Sequence, residues 1–351
     1  MKKSTKSKSP RKKYQVGVVG GGAIAQALHI PGYAASPHCE LAAIVDPSPA
    51  RLKEIRSKGW AFRSEYQDYR KMLAAEKLDV VSVCTPNKFH AEVAIAALES
   101  GADLLLEKPV AMNLKEARAI ERAAAKSGRR VMVGFSHRFN SMNIAAKKAI
   151  ESGKIGNPFM IRVRFAHTGP MAGWAKSDWF FRPTLAGGGA LMDMAVHAFD
   201  IVQWLIGPVT SIYAQTATLR HNIPLDDNVV AVLEFGKSCL GYIECGWTSP
   251  AGFVGIEIMG DHGAICCDYS KGYATLTTQK STAAGTGKSR VTKLSVNSSS
   301  WSGEMKYFTE TLATKKPFVP GLDAGLATQK LIEGAYKSAK TGRKVTLSSA
   351  R

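Results

Sequence analysis

Hydrophobic positions recur along the chain in two rhythms. Between Tyr14 and Phe135, short apolar runs (Tyr14–Val19, Cys39–Val45, Val80–Cys84, Asp103–Leu106, Val131–Phe135) alternate with helix-length segments. Those segments are Ala23–Ala35, a stretch from Pro47 through Lys58, His90–Ser100 and Leu114–Ser127. Strands spaced by helices in this way predict a parallel sheet covered on both faces. After about residue 140 the rhythm changes. A helix over Asn143–Ser152 and a strand over Phe159–Ala166 are followed by strand-like runs at Val229–Phe235, Leu240–Thr248, Gly255–Met259 and Ala264–Asp268. Consecutive strands with short turns predict a largely antiparallel sheet. Gln279–Ser302, rich in Ser, Thr, Gly and Lys, reads as a flexible loop or irregular hairpin. A helix over Leu322–Lys340 and a strand over Lys344–Leu347 close the pattern. The fold class is α/β, with a nucleotide-binding domain over residues 14–136 and an α+β domain over 137–351.

One predicted helix, Ala190 to Ile206, is apolar nearly all the way round. Its polar residues Asp193, His197, Asp200 and Gln203 are spaced four, three and three apart, which puts them on one helical face. Buried carboxylates and imidazoles cost several kcal/mol unless something polar meets them. The stripe is read either as the lining of an internal polar cavity or as an exposed face or satisfied Asp–His pair. The triplet Gly187-Gly188-Gly189 just upstream would let a ligand approach the backbone.

Gly20-Gly21-Gly22-Ala23-Ile24-Ala25 fits G-x-G-x-x-A between a strand and a helix. Gly20 permits the tight turn, Gly22 admits a pyrophosphate, and the small Ala25 lets helix and strand pack closely. The helix N-terminus offers N–H donors to the phosphates. Asp46 ends the next strand, where a carboxylate accepts from the adenosine ribose hydroxyls and repels a 2′-phosphate, favouring NAD over NADP. Arg51, one turn into the following helix, softens that preference and keeps NADP open.

Charge adds a second question. The formal net charge is +19, and seven of the positive charges (Lys2, Lys3, Lys6, Lys8, Arg11, Lys12, Lys13) lie in residues 1–13, which are read as a disordered basic tail. The rest is spread along the chain with no helix-turn-helix, zinc-finger or RNA-binding pattern to focus it, so no specific nucleic-acid partner is expected. No apolar run approaches the roughly 18 residues of a membrane span, and no membrane partner is expected. The cysteines (Cys39, Cys84, Cys239, Cys245, Cys266, Cys267) form no C-x-x-C pair, so neither a zinc site nor a disulfide framework is indicated. A cytoplasmic protein without a metal is expected.

Glu107-Lys108-Pro109 follows the strand Asp103–Leu106, so Lys108 emerges at a carboxyl end of the sheet, where ligands bind in such folds. A lysine there can stabilise negative charge on a reacting oxygen. Taken in order, GGGAIA with Asp46, TPNKFH at 85–90, EKPVAMN at 107–113 and GGGALMDMAVHAFDIVQWLIG at 187–207 resemble the Gfo/Idh/MocA family of oxidoreductases. The resemblance spans about residues 14–345. It implies a Rossmann domain, a second domain with a large open sheet, and a homodimer or homotetramer built on that sheet.

By motif, Lys108, Asp193 and His197 match the family's catalytic trio. Thr85, Pro86, Asn87 and His90 match the segment bordering the nicotinamide and its ribose, and Glu107 matches a cofactor-side position. The implied activity is hydride transfer between NAD and a secondary alcohol or ketone of a sugar, sugar derivative or cyclitol. His197 is the best general base for oxidation. Asp193 is placed to orient a substrate hydroxyl and support the imidazolium, and Asp200 to tune His197 or reach the sugar. Two other readings stay open: a redox-neutral, NAD-dependent glycoside-processing enzyme, and a non-catalytic sugar- or nucleotide-sensing protein. The stretch Gly134–Asn140 resembles the family's entry into the second domain and adds Arg138, although Ser141 stands where a proline is common. Beside the glycine triplet, an aromatic-rich segment makes Trp174 and Arg182, with His167, substrate-side candidates or packing residues.

Overall fold

Strand β1 (Tyr14–Val19) is buried from Val16 onward and is paired on both sides, which is why its apolar run is continuous rather than alternating. The computed structural model describes residues 13–173, 175, 177–282, 285–294 and 300–347. After β1 the chain makes a π-helical turn at Ala25–His29 and continues as α1 (Ile30–Ala35). It then runs through β2 (Cys39–Val45), α2 (Pro49–Ser57), β3 (Ser64–Tyr66), α3 (Tyr69–Ala75), β4 (Val80–Val83), α4 (His90–Glu99), β5 (Asp103–Leu106), α5 (Leu114–Ser127) and β6 (Val131–Val133). The six strands form one parallel sheet in the order β3-β2-β1-β4-β5-β6. The order reverses between β1 and β4, which opens a crevice at their carboxyl ends.

Beyond α6 (Ser141–Glu151), β7 (Pro158–Ala166) and a short α7 (Pro183–Ala186), the chain winds as a π-helix over Leu191–Ala195 and as α8 over Val196–Leu205. A second sheet then forms from β8 (Ser211–Ala217), β9 (Asn228–Phe235), β10 (Cys239–Gly246), β11 (Gly255–Gly260), β12 (Gly263–Asp268), β13 (Tyr273–Thr282) and β14 (Gly285–Leu294). Helices α9 (Ser300–Leu312) and α10 (Leu322–Thr341) and a short β15 (Val345–Thr346) follow. The nine strands lie in the order β14-β13-β12-β11-β7-β10-β9-β8-β15. All neighbours are antiparallel except β7 and β10, a parallel pair at the middle of the sheet. Residues 279–294, expected as a loop or irregular hairpin, carry the regular pairing of β13 and β14, with a register shift between Gln279 and Ser281.

Helix α8 and the π-wound turn before it pack on β7 and β10 of the second sheet, with Val196, Phe199, Ile201 and Val202 fully buried. Among the described residues, Pro183–Leu205 is the one helical stretch long and apolar enough to cross a membrane, and most of it is buried inside the protein. Helix α9 returns to the first domain: Met305, Phe308 and Leu312 join Val16, Leu28 and Tyr33 in one apolar cluster. This helix escaped the pattern reading because its first turn falls in the Ser-rich stretch assigned to a loop.

Candidate active site

The glycine turn sits at the crevice. Gly20 has φ +94°, and a Cβ there would lie 2.6 Å from the Cys84 carbonyl oxygen, so β1 and β4 approach this closely only with glycine. A Cβ on Gly22 would meet nothing within 4 Å, so its backbone borders open space. Ala23 and Ile24 begin the helix, and Ala25 is fully buried. The Asp46 carboxylate is oriented by two backbone donors, with Gly21 N–H on Oδ2 and Ser48 N–H on Oδ1, both at 2.9 Å. Arg51 donates to Glu54 on its own helix. Thr85 follows β4, and its Oγ1 is buried with no protein partner. Next to it, Pro86 precedes Asn87, whose amide donates to the Ala186 carbonyl at 2.8 Å and ties this loop to α7. His90 is buried between the carbonyls of Pro109 (Nδ1, 2.7 Å) and Thr85 (Nε2, 2.9 Å). It joins the two loops that frame the crevice and presents no free ring nitrogen.

Glu107 and Lys108 leave β5 in opposite directions. The Glu107 carboxylate turns inward to the His29 Nε2 at 2.9 Å, and His29 Nδ1 meets the Ser82 hydroxyl at 3.0 Å. Burial alone would raise the Glu107 pKa, but the His29 hydrogen bond and the charges of His29 and Lys108 hold it below the ordinary value. Lys108 Nζ reaches across to the second domain. It donates to Asp193 Oδ1 at 2.8 Å and to the Asp193 carbonyl at 3.0 Å.

Asp193 lies in the π-wound turn Leu191–Ala195, and His197 opens the α-helix after it. Wide turns of this kind collect at functional sites. Asp226 pins the start of this segment: its carboxylate accepts from Gly189 N–H (3.1 Å) and Leu191 N–H (2.7 Å), and its carbonyl accepts from Ala190 N–H (2.7 Å). Gly188 and Gly189 therefore serve close packing within the protein. A Cβ on Gly189 would stand 1.8 Å from the Asp226 carbonyl oxygen, and one on Gly188 2.0 Å from the Tyr336 hydroxyl.

His197 is 9% exposed, and its Nδ1 is buried without a partner, which leaves Nε2 as the nitrogen open to a ligand. Burial, then Lys108, His137 and His167, push its pKa well below the usual histidine value, so the ring is neutral at pH 7. His137 packs on it with ring centroids 4.7 Å apart, and burial followed by Lys108 lowers the His137 pKa to about 4. His167 accepts from Gly169 N–H at Nδ1 (2.7 Å) and turns Nε2 to the Met194 sulfur (3.0 Å). Its pKa is also lowered, by burial first, with Asp193 opposing and Lys108 adding.

Two expectations for the stripe change. Asp200 neither touches His197 nor faces a cleft. It is 1% exposed, and both of its oxygens are taken by Arg138, Nε to Oδ2 at 2.8 Å and Nη2 to Oδ1 at 2.6 Å. Arg138 is thereby committed to the same pair. Gln203 is half-buried and donates to the Phe199 carbonyl. Arg182 is exposed and paired with Asp178, and Trp174 lies outside the described residues. Missing from the sequence reading are His137, Asp226 and Trp247. The last is 1% exposed and donates its indole N–H to Asp193 Oδ2 at 3.1 Å. Nothing in the local pattern around Trp247 points to this bond, because it is made across 54 residues of chain.

Known proteins show the same arrangement of domains. Residues 14–135 match the oxidoreductase family with an NAD-binding Rossmann fold, and residues 144–266 match the Gfo/Idh/MocA C-terminal domain. The levoglucosan dehydrogenase of Pseudarthrobacter phenanthrenivorans is 27% identical over 288 residues, 73% of this chain and 74% of that protein. The inositol 2-dehydrogenase of Rhizobium meliloti is 24% identical over 343 residues, 94% of this chain and 98% of that protein. Among solved structures, levoglucosan dehydrogenase in complex with NADH and levoglucosan superposes with a TM-score of 0.84 at 25% identity, covering 95% of this chain and 99% of that one. With both domains matched in order, the chain belongs to the Gfo/Idh/MocA family of NAD-binding oxidoreductases.

Proposed function

We propose that this protein oxidises a secondary hydroxyl of a sugar, sugar derivative or cyclitol with NAD, at a centre made of Lys108, Asp193 and His197. One observation carries the reading. Lys108, from the carboxyl end of β5, bonds Asp193 Oδ1 at 2.8 Å, with the neutral His197 one turn further along the same helical segment. The residues of the crevice fit the cofactor: the Gly20–Ala25 turn offers backbone to the pyrophosphate, Asp46 is fixed for a ribose diol, and the unpartnered Thr85 hydroxyl is free for a polar group. When bound, NAD supplies the hydride acceptor.

The protein's own groups handle the proton and the charge. His197 Nε2 takes the hydroxyl proton as the C–H bond yields its hydride, and the alcohol becomes a carbonyl. A base whose protonated form is disfavoured by burial passes that proton on readily. The Lys108 ammonium stabilises negative charge developing on the reacting oxygen, and Asp193 holds the ammonium in place. In reduction the same groups act in reverse.

The similarity to levoglucosan, glucoside and inositol dehydrogenases sets the substrate panel: levoglucosan, glucosides, myo-inositol and scyllo-inositol with NAD and with NADP. Net absorbance at 340 nm on one of these supports the reading. Glycoside cleavage without net NADH, or no turnover on any of them, counts against it. We further propose a cytoplasmic homodimer or homotetramer through the open sheet, without specific nucleic-acid or membrane partners. Tyr213, Val230, Val232 and Leu240 lie exposed on one face of neighbouring strands, an apolar patch suited to a second copy. The described cysteines are all free.

A further inference from the structure

The Asp193 carboxylate has one oxygen on Lys108 Nζ, and its other oxygen receives a single donor, the indole N–H of Trp247. Trp247 follows β10, in the middle of the second sheet, so the bond ties the catalytic turn to the central strands of that sheet. The indole has little freedom to leave. Its backbone N–H donates to the Asp227 carbonyl at 2.8 Å, and His221 Nε2 meets its carbonyl at 3.2 Å. Gly169 packs so closely that a Cβ there would lie 2.4 Å from the Trp247 Cβ, and Phe181 meets the ring edge-on at 6.5 Å.

We propose that Trp247 is a positioning residue for the reaction: its N–H fixes the rotamer of Asp193, and through Asp193 it fixes where the Lys108 ammonium stands relative to the reacting oxygen. A carboxylate held by Lys108 alone could rotate about its terminal bond and break its 2.8 Å contact, which would leave the ammonium with only the longer bond to the Asp193 backbone carbonyl, at 3.0 Å, to place it. The indole removes this freedom. Displacements of about 1 Å at a catalytic group reduce rates by about a hundredfold, so the effect falls on turnover rather than on cofactor binding. The proposal rests on the reading of Lys108, Asp193 and His197 as the active centre.

Two measurements test it. The first needs no substrate. With NADH bound, 15N-labelled protein shows indole cross-peaks for its 6 tryptophans, and the Trp247→Phe variant identifies the one that belongs to Trp247. In Asp193→Ala that signal is expected to move upfield and its hydrogen exchange to accelerate. An unchanged signal would overturn the bond. The second uses the best-oxidised member of the sugar and cyclitol panel. Trp247→Phe is expected to lower kcat by roughly ten- to a hundredfold, with the substrate KM and the NADH affinity (from nicotinamide fluorescence) within about twofold. Trp247→His, which restores a ring N–H, recovers part of the loss, and in an Asp193→Ala background Trp247→Phe adds less than about twofold. Full turnover in Trp247→Phe, equal losses in the Phe and His variants, or the same loss without Asp193 would each refute a positioning role. If the unmutated protein oxidises nothing in the panel, the dehydrogenase reading fails, and the resonance measurement still decides whether Trp247 holds Asp193.

Discussion

Arg138 grips Asp200 with two parallel hydrogen bonds, of 2.8 and 2.6 Å, and the carboxylate it grips is 1% exposed. Burial still pushes the Asp200 pKa up to about 6 against the pull of the guanidinium. The pair joins the segment entering the second domain to helix α8, one turn beyond His197. Removing one partner of such a pair strands the other, at a cost of about 3–5 kcal/mol. Arg138→Ala is therefore expected to lower the urea midpoint sharply at pH 7.5. Adding Asp200→Leu should recover a large part of that loss. Additive losses in the double variant would show that the two side chains do not act as a pair.

Glu304 on α9 is sealed from solvent with neither carboxyl oxygen partnered. Burial, then the Glu107 charge, raise its pKa well above the ordinary glutamate value. The folded protein thus keeps a proton that the unfolded chain releases once pH exceeds about 4.3. Between those two points the unfolded state binds fewer protons, so this group destabilises the fold increasingly as pH rises. Glu304→Gln keeps the neutral shape and removes the penalty. Urea unfolding should show a gain on the order of 1–3 kcal/mol at pH 8 and little gain near pH 4.5. An equal difference at both pH values would mean that ionisation is not the cause.

The buried histidines work in the opposite direction. His137 and His197 both have pKa values lowered by burial, His137 to about 4. An unfolded histidine binds its proton near pH 6.5 while these stay neutral, so stability is fully present above that value and drains away as the solution is acidified. His137 alone accounts for about 3 kcal/mol by pH 4. Thermal midpoints followed from pH 7 to pH 4.5 are expected to fall steeply below 6.5. His137→Phe, which preserves the stack on Phe165, should flatten the decline. A parallel decline in that variant would exclude His137.

His197→Asn removes the proton acceptor and is expected to lower turnover by about two to four orders of magnitude. NADH affinity, which we assign to Gly20–Ala25 and Asp46, should hardly change. Because His197 is held neutral, kcat/KM of the unmutated enzyme should stay level through pH 6.5 and fall only in more acidic solution. Near-normal turnover in His197→Asn would move the base to Asp193 or Lys108.

Asp46→Ala is expected to narrow the preference for NAD over NADP in paired titrations, by removing the carboxylate that Gly21 and Ser48 orient. Arg51 is held by Glu54, so Glu54→Gln should tighten NADP binding further by freeing the guanidinium. Tighter binding of NADP than NAD by the unmutated protein would defeat this account of Asp46.

Five of the six strands of the first domain were legible because they are continuous apolar runs punctuated by Gly20, Asp46 and Pro109, each of which has a local physical meaning. Strand β3 (Ser64–Tyr66) and the α3 that follows it were not, because the half-buried Ser-Glu-Tyr edge strand carries no apolar run. The stripe of Asp193, His197, Asp200 and Gln203 was legible as a face. The sequence could not say what each member meets. Asp193 finds Lys108 and Trp247, Asp200 finds Arg138, and His197 Nδ1 meets no hydrogen-bond partner. Those partners come from other elements, and no spacing rule within one helix encodes them. For the same reason the glycine triplet read as a ligand approach, when the groups that crowd it belong to Asp226 and Tyr336.

The return of α9 to the first domain sets the order in which the protein can be completed during synthesis. Met305, Phe308, Leu312 and Phe318 fill a surface left by Val16, Leu28, Tyr33 and Met132, residues made some 170 to 300 positions earlier. Until the ribosome has passed residue 318, the nucleotide-binding half carries a bare greasy flank, and a fragment cut at residue 136 would carry it permanently. The domain that begins first finishes almost last, which makes the nascent chain a natural client for a chaperone and a poor candidate for expression in halves.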